Sequence, residues 1–160
     1  DRRQIEEALT AALEDLRTTI DSLQPVEGDL GVVLGNVRHR MRTVFDSAGV
    51  DLGWRVGELP RMEDLTPARN LVIQRILLEL FPNVLKHSGA RKVEVSTHAG
   101  AGHASIVIED DGRGFDPAGR HNGRGLNNLR ERAREVGGTL LIESELGRGT
   151  RATLALPASA

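Results

Sequence analysis

The sequence has no cysteine and no tyrosine, and only one tryptophan and three phenylalanines among 160 residues. The lack of cysteine excludes disulfides, thiolate catalysis and cysteine-based metal sites, and it fits a reducing compartment. With aromatics at 2 %, there is no set of rings on which the bases of a single-stranded nucleic acid would stack. Charge of one sign is also missing. The formal net charge is −2, which gives neither a basic field for nucleic acid nor an acidic tail. No run approaches the roughly 20 apolar residues of a transmembrane helix, and no signal-peptide pattern is visible. No Gly-x-x-x-x-Gly-Lys-Ser/Thr occurs, which excludes an ordinary P-loop. What is present is 39 % apolar and 28 % charged, long enough for one domain with a core and a short appendage.

The first half reads as helical. Ile5, Leu9, Ala12, Leu16, Ile20 and Leu23 fall in steps of three and four, and Pro25 ends that pattern. Such a stripe is first read as a face packed on its own domain, with a two-stranded or bundle interface as the alternative. The chain opens mid-helix without a cap, which points to a piece of something longer. A linker is expected around Pro25–Asp29. Leu30 to Ala48 is a second helix, with Val33, Leu34, Val37, Met41, Val44 and Phe45 on one side and Gly49 as its stop. Val50 to Val56 alternates weakly, as a short strand would. Thr66-Pro67 supplies an N-cap and a first-turn proline for a third helix, from about Ala68 to Lys86.

After Ser88-Gly89 the period changes from 3.6 to 2. Strands are expected around Val93–Val95 and Ala104–Ile108, joined as a hairpin by Ala99-Gly100-Ala101-Gly102. A helix from about Leu126 to Val136 is stopped by Gly137-Gly138. Strands Thr139–Glu143 and Thr150–Leu156 follow, joined by the turn Glu145–Gly149. The expected architecture is α+β, with a mixed or antiparallel sheet carrying helices on one face.

Four short motifs carry chemistry. Glu79, Asn83 and Lys86 or His87 share one face of the third helix, where an acid, an amide and a cation suit Mg²⁺ and phosphate. A solvated face with a Glu–Lys pair is the plainer reading. Next comes Asp110-Asp111-Gly112-Arg113-Gly114 at the end of an apolar run. Its acid suits an exocyclic amine, and its glycines remove Cβ atoms that would keep a ligand away; an ordinary turn is the alternative. Gly123-Arg124-Gly125-Leu126-Asn127-Asn128 runs glycines into a helix start, as a phosphate chain or a plain flexible loop would require. Gly147-Arg148-Gly149-Thr150 taken alone is a hairpin turn.

In this order the four motifs resemble the Bergerat-type ATP-binding domain. Sensor histidine kinases, gyrase-type topoisomerases, heat-shock chaperones and mismatch-repair ATPases share that domain. The match runs from about Leu65 to Pro157. Gly125-Leu126-Asn127-Asn128-Leu129-Arg130-Glu131-Arg132-Ala133 with Val136-Gly137-Gly138-Thr139-Leu140 is similar to the text of bacterial two-component sensor kinases. So are Asn83-Val84-Leu85-Lys86-His87-Ser88 and the Asp110 motif. The short interval from Phe115 to Gly123 and the step Leu23-Gln24-Pro25 resemble the subfamily that signals to response regulators with helix-turn-helix outputs.

The resemblance implies a two-layer α/β sandwich over residues 26–160, preceded in residues 1–25 by the remnant of a second dimerisation helix. It implies ATP and Mg²⁺ as cofactors, with Asn83 on the metal and Glu79 beside the reacting phosphate. Lys86 and His87 would approach the phosphates, and Asp110 would read the adenine amine beside Gly112 and Gly114. Gly123, Gly125 and Leu126 would form the lid hinge and phosphate contact, and Thr150 would support adenine through water. The implied activity is transfer of the γ-phosphoryl group to a histidine of the kinase's own dimerisation domain, then to a response regulator. It further implies a homodimeric parent, a cytoplasmic location and no nucleic-acid partner.

Two departures stand out. Pro82 lies inside the third helix just before Asn83, where a kink would re-aim that amide. None of His39, His87, His98, His103 and His121 sits in a phosphoacceptor context, so the acceptor is expected upstream of Asp1. The alternatives are an anti-sigma-type serine kinase of the same fold and a degenerate nucleotide- or partner-binding module.

Overall fold

The computed structural model describes residues 1–23, 29–119 and 124–158. The elements are α1 (Arg2–Leu23), α2 (Leu30–Ala48), β1 (Asp51–Arg55), α3 (Pro67–His87), β2 (Lys92–Gly100), β3 (His103–Asp110), α4 (Arg124–Glu135), β4 (Thr139–Glu145) and β5 (Gly149–Pro157). The expected linker around Pro25 lies outside the described residues, apart from Asp29.

Local chemistry sets the helix ends. Asp29 Oδ1 accepts from the Gly31 amide at 2.8 Å and caps α2. Gly49 closes that helix at φ 68°, in the left-handed region that favours glycine. Thr66 Oγ1 accepts from the Arg69 amide at 3.2 Å, and Pro67 follows where its missing N–H costs nothing.

The sheet order is β1-β2-β3-β5-β4, with β1 parallel to β2 and every other pair antiparallel. Helices α2, α3 and α4 supply Phe45, Phe81 and Leu129 to one core with Val95, Ile106, Ile142 and Leu154 of the sheet. Phe45 and Phe81 meet edge to face, their centroids 5.6 Å apart. On the opposite face Glu109, Leu141, Glu143 and Arg151 are exposed. The mixed sheet with helices on one face is the expected α+β sandwich.

One expectation is corrected. The apolar stripe of α1 is not packed on its own domain, because Ile5, Leu9, Leu13, Leu16 and Ile20 are each more than half exposed. Helix α1 lies close to α3, and polar bonds also hold it to α2. Thr18 is buried, and Arg40 of α2 donates to Thr18 Oγ1 and, at 3.3 Å, to the Glu14 carbonyl. Helix α3 runs through Pro82 to His87, as expected. Proline has no N–H, so residue 82 donates no hydrogen bond to the ladder. Pro82→Ala restores that donor and relieves the ring's clash with the Leu78 carbonyl. It is expected to stabilise the fold by about 1–3 kcal/mol, read as a higher midpoint in urea unfolding.

Candidate functional site

Strand alternation builds the site. Ile106, Ile108 and Asp110 are successive core-facing positions of β3, so an acid occupies the place where the pattern calls for an apolar side chain. The register sets Asp110 opposite Thr150 of β5, and Thr150 opposite Ser144 of β4. One polar row, Asp110-Thr150-Ser144, therefore lies beside an apolar row, Ile108-Ala152-Ile142, on the same face.

Helices α3 and α4 do not cover this end of the sheet, and a cavity of about 440 Å³ remains. Its floor is Ile108, Ile142 and Ala152, with Asp110 and Thr150 at one edge. Leu80, Asn83 and Val84 of α3 form one wall, and Gly125 and Leu126 at the start of α4 form another. Gly114 and Phe115 close the side beyond β3. A flat apolar slot with one buried carboxylate suits a heteroaromatic ring that carries an amine.

Asp110 is held for that task. Its Oδ1 accepts from the Gly112 amide at 2.8 Å, and the Thr150 backbone amide also bonds to the carboxylate. Burial pushes its pKa above the usual carboxylate value, and the two amides only partly offset this. A carboxylate has about four acceptor positions, so capacity remains for a ligand donor. Ser144 Oγ lies 2.9 Å from each of the Phe115 amide, the Gly149 carbonyl and Thr150 Oγ1. One hydroxyl proton can serve only one acceptor. With Ser144 donating to Gly149, Thr150 must donate to Ser144, which leaves the Thr150 lone pairs for the cavity.

The glycines have a reason within the fold itself. A Cβ on Gly112 would overlap the Ser88 carbonyl oxygen, and one on Gly114 would overlap the Glu145 carbonyl oxygen. Both residues clear protein backbone, and they let the loop after β3 lie close against its neighbours. The Arg113 amide donates to Ser88 at 2.7 Å, and the Arg113 carbonyl accepts from Gly147 at 2.6 Å. Asp111, next along the chain, is exposed. Its Oδ1 accepts from the Lys92 and Arg91 amides at 3.0 and 2.9 Å, and these bonds lower its pKa.

Of the expected site residues, Asn83, Asp110, Gly114, Gly125, Leu126 and Thr150 line one cavity, and Gly112 supports Asp110 from behind. Glu79 is not in the lining, and its carboxylate is ion-paired to Arg132 of α4. Gly123 and the side chains of Lys86 and His87 lie outside the described residues. Sequence reasoning missed Ser144, whose signal was its period-2 alignment with Leu140 and Ile142 on the buried face of β4. Among the described residues no three His, Asp or Glu side chains converge as a metal cage. The donor set instead fits a metal held by one amide oxygen, that of Asn83, together with ligand phosphates.

Residues 69–160 match the family described as "Histidine kinase-, DNA gyrase B-, and HSP90-like ATPase", and the chain belongs to it. Over 156 residues it is 30 % identical to the signal transduction histidine-protein kinase/phosphatase UhpB of Salmonella typhimurium, covering 96 % of this chain and 30 % of that protein. Over 168 residues it is 32 % identical to the sensor histidine kinase MctS of Rhizobium johnstonii, covering 96 % and 34 %. The chain thus spans about a third of the length of these curated relatives.

Among solved structures, the Acinetobacter baumannii histidine kinase AdeS superposes with a TM-score of 0.68 at 19 % identity, covering 96 % of this chain and 80 % of that one. Full-length ShkA in complex with AMPPNP gives 0.72 at 22 %, covering 99 % and 38 %. At these identities the likeness shows the shared fold. No helix of the described residues is long and apolar enough to cross a membrane.

Proposed function

We propose that residues 26–160 are the Mg²⁺-ATP-binding catalytic part of a sensor histidine kinase. Residues 1–25 are then the remnant of its second dimerisation helix. The observation that carries this reading is the buried carboxylate of Asp110 at the polar end of an apolar slot, with Asn83 across the same cavity. Adenine lies on Ile108, Ile142 and Ala152 and donates its amine to Asp110. Thr150 accepts a further hydrogen bond, directly or through water. The start of α4 at Gly125 and Leu126, with Gly123 before it, approaches the phosphate chain, and so do Lys86 and His87 from α3. Asn83 holds Mg²⁺ through its amide oxygen, and Mg²⁺ supplies charge neutralisation on the phosphates. Phosphoryl transfer asks chiefly for such positioning and neutralisation.

In the parent protein the γ-phosphoryl group passes to a histidine on the dimerisation domain, outside this chain. From there it passes to an aspartate of a response regulator with a helix-turn-helix output. The exposed stripe Ile5, Leu9, Leu13, Leu16 and Ile20 suits burial in a homodimer of the parent. A cytoplasmic location fits a nucleotide site of this kind. Helix α3 runs through Pro82 and still brings Asn83 to the cavity, which supports a working site over a degenerate module.

The test uses γ-labelled ATP. The chain alone is expected to bind nucleotide and remain unlabelled. When a polypeptide carrying the parent's acceptor helix is added, acid-labile, base-stable label characteristic of phosphohistidine is expected on it. Label on serine, or label on the isolated chain, would contradict this assignment.

A further inference from the structure

Glu79 stands one helical turn before Asn83 on α3, and its carboxylate is ion-paired to the Arg132 guanidinium. Arg132 belongs to α4, the helix whose first residues line the cavity. The pair therefore ties together the two helices that wall the cavity, one helical turn along α3 from Asn83, without itself lining the cavity. Its side chains are 39 % and 47 % exposed, so it contributes little as a strut between the helices.

Electrostatics gives the pair a larger consequence. A nucleoside triphosphate brings several negative charges towards Asn83. An unpaired carboxylate one turn away would oppose them, and a paired one presents a nearly neutral rim.

We infer that Arg132 is a counter-charge and positioning residue for the polyphosphate side of the site. It holds the Glu79 carboxylate against α4 and cancels its charge. The inference rests on the nucleotide reading of the cavity.

The experiment titrates the full chain with ATP and, separately, with adenosine, by calorimetry at low salt. Arg132→Ala is expected to weaken ATP binding by about 3- to 10-fold and to leave adenosine binding unchanged, with the ATP effect shrinking at high salt. Arg132→Lys keeps the charge and is expected to hold ATP affinity within about twofold of wild type. The double variant Glu79→Gln/Arg132→Ala removes both charges and restores ATP affinity.

Equal losses for ATP and adenosine would reduce Arg132 to a structural role and overturn the inference. A double variant as weak as Arg132→Ala would overturn it too, since Arg132 would then act on the phosphates rather than on Glu79. Should Arg132→Ala fail to fold, Arg132→Gln against the same double variant reads the same comparison. A wild-type chain that binds neither ligand would overturn the nucleotide reading itself. A chain that binds ATP equally with and without Arg132 would overturn only the inference.

Discussion

Asp110→Asn is expected to lose about 30- to 100-fold in ATP affinity, roughly 2–3 kcal/mol, while the fold becomes no less stable. The asparagine oxygen has two lone pairs and is expected to keep both the Gly112 amide, which today bonds to Oδ1, and the Thr150 amide. Its NH₂ group then faces the cavity where a second acceptor stood, so the ligand amine meets a donor. Stability moves the other way. Burial holds the Asp110 pKa above its ordinary value. The folded state therefore binds that proton more tightly than the unfolded chain does. Stability falls as pH rises through the window between the unfolded and the folded pKa, and at neutral pH the ionised carboxylate opposes folding. The neutral amide removes this penalty, so the melting temperature of the variant is expected to equal or exceed wild type at pH 7. The difference should close on acidification. ATP binding by the wild type should weaken as pH falls through the raised Asp110 value, because the protonated acid no longer offers two acceptor oxygens. A variant that binds ATP as well as wild type would remove Asp110 from the ligand site.

Gly149→Ala carries the largest expected cost to stability. Gly149 has φ 81° and is buried at the start of β5, and a Cβ there would overlap the carbonyl oxygen of Asp110. That neighbour is backbone, fixed by pairing between β3 and β5, and cannot rotate away. Loss of about 3–5 kcal/mol is expected, from left-handed strain together with forced separation of the strands. Gly147→Ala is the control. Gly147 has almost the same φ, 82°, but nothing lies within 4 Å of an added Cβ. It should cost only about 1–2 kcal/mol, from conformation alone. Equal urea midpoints for the two variants would show that the close approach at Asp110 does not matter.

These positions show what the sequence revealed and what it concealed. Helix and strand limits were legible where local chemistry sets them, as at Thr66-Pro67 and Gly49. The burial of Asp110 was readable too, since Ile106, Ile108 and Asp110 keep period 2 and the sheet has helices on one face only. The work of the glycines was not readable. That Gly112 faces Ser88, and Gly114 faces Glu145, follows from how β3 lies beside β5 and α3, and only the assembled fold contains those distances. The same holds for Glu79. Its spacing from Asn83 put both on one helix face, but Arg132, far along the chain on α4, decides where its carboxylate points. The α1 stripe carried a helical period without saying what would cover it, and the domain does not.

The central claim is that one cavity, walled by Asp110, Thr150, Asn83 and the start of α4, is the ATP site. The most direct measurement is a ¹H–¹⁵N NMR titration of the chain with a non-hydrolysable ATP analogue and Mg²⁺. The account predicts saturable shifts centred on the amides of Gly112, Thr150, Asn83, Gly125 and Leu126, with little change at Glu143 or Leu141 on the opposite face of the sheet. It also predicts a much weaker response to the inosine nucleotide, which lacks the amine. Saturable shifts centred on that opposite face, or equal responses to the adenine and inosine nucleotides, would contradict it.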